Sequence, residues 1–138
     1  MYSSGSGSDG KLGHSDTKDQ KQPKLVEYFS KNNIKIKDVV AGERHTIALT
    51  EDGEVYTWGF GRKNINFLMK IFMNPSGPTG HGVDIPSTIS KPRRVKGLEG
   101  HKVERITAGR NFCIAYNDKN QVLNWGNGEY AAFGDGKN

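Results

Sequence analysis

Ala41-Gly42-Glu43-Arg44-His45-Thr46-Ile47-Ala48-Leu49-Thr50-Glu51-Asp52-Gly53-Glu54-Val55-Tyr56-Thr57-Trp58-Gly59 aligns without a gap with residues 108–126 of the same chain, at an offset of 67 throughout. The identical pairs are Ala41/Ala108, Gly42/Gly109, Ile47/Ile114, Ala48/Ala115, Val55/Val122, Trp58/Trp125 and Gly59/Gly126, while Leu49/Tyr116 and Tyr56/Leu123 keep bulk. Self-similarity at this spacing marks a fold built by stacking like units. Further out, Gly13-His14 matches Gly80-His81, and Pro23-Lys24-Leu25-Val26 matches Pro92-Arg93-Arg94-Val95.

A further copy starts at Trp125, nine residues before Gly134, whereas Trp58 precedes Gly80 by 22. Removing residues 62–74 restores the spacing of nine and leaves a basic period of 54, by which Ser4 stands where the other copies carry Trp. The expected organisation is a first repeat over 1–59, a second over 60–126 with an insert at 62–74, and the start of a third over 127–138. Residues 1–22, rich in Ser and Gly, therefore read as a blade loop with frayed ends and not as a disordered tail.

Within a copy, Lys37 to Ala41, Thr46 to Thr50 and Val55 to Trp58 read as strands, with Asp52-Gly53 as a hairpin turn. Lys24 to Tyr28 reads as a fourth strand. In the second copy Asn117-Asp118-Lys119-Asn120 makes the turn, since Asn tolerates the positive φ that Gly53 adopts readily. A hydrophobic fraction of 33% with 18 glycines suits many short strands better than long helices. The fold class is all-β: antiparallel four-stranded propeller blades forming an incomplete β-propeller. Trp58 and Trp125 read as packing between blades, and Gly42, Gly59, Gly109 and Gly126 as structural repeat positions beside them.

Ala-Gly, a small and apolar strand, a tight turn, Trp-Gly and a Gly-rich loop closing on Leu12-Gly13-His14 resemble the regulator of chromosome condensation repeats, which form seven-bladed propellers. The resemblance covers nearly everything outside 62–74 and implies that the chain is a section of a longer ring. It also implies a protein-interaction scaffold that binds through blade loops and is not itself an enzyme. Two alternatives stay open: guanine-nucleotide exchange on a Ran-type small GTPase, and a chromatin or nucleic-acid binding module. The plant ultraviolet-B photoreceptor is similar at Gly-x-Arg-His-Thr, but Glu43 replaces its Trp, which argues against light sensing.

The net charge of +5 is concentrated in Lys91, Arg93, Arg94, Lys96, Lys102, Arg105 and Arg110, which face only Glu99 and Glu104 within that stretch. Such a stripe suits an acidic protein surface or, less well, nucleic acid; equally, it is what protects a solvated sheet edge. No aromatic-and-basic binding motif accompanies it. His14, His45, His81 and His101 lack metal-ligand spacing, and His45 aligns with Phe112, so neither a metal nor a cofactor is expected. No nucleophile elbow, P-loop or zinc-protease motif occurs. The single cysteine, Cys113, between Phe112 and Ile114, reads as a buried thiol in a reducing compartment, cytoplasmic or nuclear. The longest apolar run is far too short to span a bilayer, so no membrane partner is expected. Within 62–74, Phe67, Leu68, Ile71 and Phe72 would share one helical face and dock a partner; alternatively the segment is translated A+T-rich sequence.

Overall fold

A computed structural model of the chain describes residues 1–60 and 88–126. The expected insert at 62–74, the Gly80-His81 pair and the third repeat at 127–138 lie outside the described residues. Among the described residues three antiparallel sheets follow one another. Strands β1 (Tyr2–Gly5) and β2 (Gln20–Leu25) form the first; β3 (Ile36–Ala41), β4 (His45–Thr50), β5 (Val55–Phe60) and β6 (Thr88–Arg94) form the second; β7 (Val103–Ala108), β8 (Phe112–Asn117) and β9 (Val122–Gly126) form the third. Each is a plain meander, all-β apart from the five-residue helix α1 (Glu27–Lys31) and two short 3-10 turns.

The register repeats along with the sequence. Thr46 faces Trp58 as Cys113 faces Trp125, and His45 faces Gly59 as Phe112 faces Gly126. The irregularity between Ile36 and Asp38 recurs between Val103 and Arg105. The N-terminal pair keeps the same rule: Tyr2 faces Leu25 and Gly5 faces Gln20, just as Tyr56 faces Arg94 and Gly59 faces Ile89. The first sheet thus has the pairing of a blade's last two strands, and the Ser- and Gly-rich start of the chain is ordered around it. At the hairpin turns Gly53 (φ 84) and its aligned Asn120 (φ 60) hold the same left-handed position, and each donates its amide to a carbonyl three residues back.

One strand differs from its sequence reading. Residues Lys24 to Tyr28 do not form a fourth strand of the first copy; pairing ends at Leu25, and Val26 opens α1. Strand β2 belongs with β1, and the fourth strand beside β5 is β6, supplied from the following repeat. Sheet and sequence repeat are out of phase, and the 59/60 repeat boundary falls inside the four-stranded sheet.

Every residue of β4 is buried, and β5 is buried up to Gly59, because this sheet is covered on both faces. Alternation splits it into two cores. Ile47, Leu49 and Val55 pack with Val103, Ile106, Cys113, Ala115 and Trp125 of the third sheet. Ala48, Tyr56 and Trp58 pack on the other side with Val26, Phe29 and Ile89. Phe29 stands edge-on to Tyr56 at 5.5 Å, a favoured aromatic geometry. Gly59 closes the strand at φ 108, where a Cβ would lie 2.5 Å from the Arg44 carbonyl oxygen; Gly126 repeats this against Asn111.

Trp58→Ala should cost about 3–5 kcal/mol, the usual result of emptying a buried aromatic site. Gly59→Ala should cost about 1–3 kcal/mol through its forced φ. Urea unfolding followed by circular dichroism measures both; near-wild-type midpoints would show that this packing does not hold the sheet.

Candidate partner-binding surface

With both sheet faces occupied by packing, charged groups are left to loops and edges. The β3–β4 loop carries Glu43 and Arg44. Arg44 donates from Nε and an Nη to the two carboxylate oxygens of Asp9, at 2.8 Å each, and stacks 3.9 Å above the Phe60 ring. Glu43 pairs with Arg110 at 2.5 Å, its own counterpart one repeat on. Below them the loop preceding β2 is fixed from inside: Thr46 Oγ1 and Trp58 Nε1 both donate to the Lys11 carbonyl at 2.8 Å. Trp125 Nε1 is buried and has no partner among the described residues, the positions aligned with Lys11 lying outside them.

His45 sits under the same loop, almost wholly buried, its ring against Gly42 as the Phe112 ring lies against Gly109. Among the described residues neither ring nitrogen has a partner within strict hydrogen-bonding geometry. Burial pulls its pKa below 6.5, opposed more weakly by the Phe112 backbone. Cys113 is buried opposite Trp125, and burial pushes its thiol far above the usual range, the opposite of what a nucleophile needs. No group of three or more His, Cys, Asp or Glu able to hold a metal occurs among the described residues.

The seven basic residues of the sequence stripe are all exposed, but they do not form one track. Lys91, Arg93 and Arg94 stand on the edge strand β6, Lys96 in the 3-10 turn after it, Lys102 before β7, Arg105 on β7 and Arg110 in the β7–β8 loop. Among the described residues two are tied to carboxylates: Arg94 to Glu54 at 3.0 Å and Arg110 to Glu43. Lys102 lays its stem beside Gly53, and with Arg94 and His101 it borders a cleft of about 320 Å³ between the second and third sheets. Lys91 turns the other way, its Nζ 5.3 Å from the centre of the Tyr28 ring, toward Lys24, Lys31 and His14. That grouping is invisible in the sequence stripe, because its members come from four separate elements.

Two family models with the description regulator of chromosome condensation (RCC1) repeat match residues 1–49 and 36–64. Among curated proteins the chain is 35% identical over 138 residues to the human E3 ubiquitin-protein ligase HERC2, covering 99% of this chain and 2% of that protein. It is 31% identical over 133 residues to the Arabidopsis thaliana ultraviolet-B receptor UVR8, covering 96% and 26%. Among solved structures, Saccharomyces cerevisiae Prp20p superposes with a TM-score of 0.68 at 27% identity, over 91% of this chain and 28% of that one. The chain therefore spans between 2% and 28% of the length of these relatives.

Stacked antiparallel meanders with a recurring register and structural neighbours of this kind define a section of β-propeller. Regulator of chromosome condensation repeats are found in it, matched over residues 1–49 and 36–64.

A pH prediction follows from His45. Its folded pKa is depressed, so the unfolded chain binds the extra proton first, and stability falls as pH drops through about 6.5. Replacing His45 with Phe, the residue aligned with it, should flatten urea stability between roughly pH 7.5 and 5.5. An unchanged pH slope would show that His45 is not the group responsible.

Proposed function

We propose that this chain is part of a protein-interaction scaffold acting in the cytoplasm or nucleus, engaging partner proteins through its blade loops and exposed basic residues. The observation that carries the reading is the division of labour in the fold. Apolar side chains of β4 and β5 are committed to sheet stacking, while Glu43, Arg44 and the basic residues stand on anchored loops and an edge strand. Loops held on a rigid scaffold are the usual carriers of binding function. Such a scaffold needs no catalytic residues of its own.

Guanine-nucleotide exchange on a Ran-type small GTPase is a second reading, favoured by the likeness to Prp20p, whose structure is described with its binding to Gsp1p and histones. Chromatin binding is a third, for which the same description and the exposed arginines speak.

Affinity capture on the purified chain, followed by binding at rising salt and by nucleotide release from any small GTPase recovered, separates the three. A scaffold should hold a protein partner with only moderate salt sensitivity and leave nucleotide release unchanged. Accelerated release would establish the exchange reading. DNA binding that falls roughly 10³-fold or more between 50 and 200 mM salt, with no protein captured, would establish the nucleic-acid reading.

A further inference from the structure

We propose that the cleft between β2, α1 and β6 is a docking site for a short acidic segment of a partner protein, its carboxylates held by Lys24 and Lys91 and an apolar side chain resting on Tyr28. The inference rests on the scaffold reading above and gives it a place and a ligand chemistry. The cleft is about 340 Å³, and its walls carry His14, Lys24, Lys31 and Lys91 against one carboxylate, Glu27. Glu27 is already neutralised, its pKa lowered first by a hydrogen bond from Lys31 at 2.5 Å and then by the charges of Lys31, Lys24 and His14. Lys24 and His14 line the same cleft as Glu27. Lys24 and Lys91 have no carboxylate partner among the described residues, unlike Arg94 and Arg110.

The cleft is built from both sides of a sheet junction. His14 is held by a 2.8 Å contact between its Nε2 and Ser3 Oγ, and the following residue, Ser15, donates its amide to the Ser90 carbonyl at 2.8 Å. Tyr28 is fixed from below by Phe29 and Tyr56 at 5.5 and 5.9 Å. A ring with a cation 5.3 Å from its centre and further cations beside it offers both an apolar platform and positive charge. A peptide with spaced carboxylates matches this better than nucleic acid does. A phosphate backbone needs a continuous positive track, whereas here Glu27 stands among the cleft's cations and Arg94 and Arg110 stand elsewhere, paired with Glu54 and Glu43.

The test uses the whole chain and a fluorescein-labelled peptide of two glutamates, a leucine and two glutamates, read by anisotropy at about 0.15 M salt. Lys24→Glu with Lys91→Glu should weaken binding by roughly tenfold or more. Lys37→Glu with Lys119→Glu, an equal change in net charge outside both the cleft and the basic stripe, should leave it within about twofold. All four positions are exposed, so unchanged melting confirms that each variant is folded. The assignment is overturned if the two pairs of reversals cost the same, if the peptide does not bind, or if single-stranded oligothymidylate or inorganic phosphate displaces it at lower concentration. A captured protein partner retained equally by the wild type and the Lys24→Glu/Lys91→Glu variant would overturn the cleft and leave the scaffold reading intact. Nucleotide release or protein-free DNA binding would overturn the scaffold reading itself.

Discussion

The two inner strands of the four-stranded sheet, β4 and β5, are buried on both faces, and the rest of the molecule follows from that requirement. A half-buried strand alternates apolar and polar residues, but β4 runs His45-Thr46-Ile47-Ala48-Leu49-Thr50 with no exposed position. Alternate side chains need a neighbour on each side. The third sheet supplies one through Val103, Ile106 and Trp125, and the N-terminal unit supplies the other through Val26 and Phe29. Stability of this kind is shared between neighbours and does not reside in a single unit, as in other stacked repeats.

Stacking also fixes where binding groups can stand. Because Trp58 and Thr46 converge on the Lys11 carbonyl, the loop before β2 is anchored to the next sheet, and Asp9 meets Arg44 from a defined position. Charges displayed from such loops lose little freedom on meeting a partner, which favours binding without a deep pocket. The exposed ion pairs themselves contribute little stability. Their value to the reading lies in geometry: Glu43 and Arg110 are the same position in successive repeats, joined across a sheet boundary.

Much of the fold was legible because the repeat repeats its register. The gapless alignment of 41–59 with 108–126 carries the strands, the turn with Gly53 or Asn120 at positive φ, and the two tryptophans. What it could not carry was phase. Lys24 to Tyr28 looked like a fourth strand because Pro23 to Val26 aligned with Pro92 to Val95, and that match is real. Val26 and Val95 both leave the strand, at φ −78 and −81, to open a helical turn. Which sheet the preceding strand joins is decided by packing and not by local pattern. The basic stripe shows the same limit: sequence gives its exposed members but not their neighbours, and Lys91 lies beside Lys24, Lys31 and His14 only through stacking.

Residue-resolved amide hydrogen exchange on the whole chain tests the two-faced burial most directly. Amides of β4 and β5, flanked on both faces and both edges, should exchange only through global unfolding, while those of the outer strand β6 exchange faster. Exchange in β4 as rapid as in β6 would contradict the stacking on which the fold and the proposed binding surface depend.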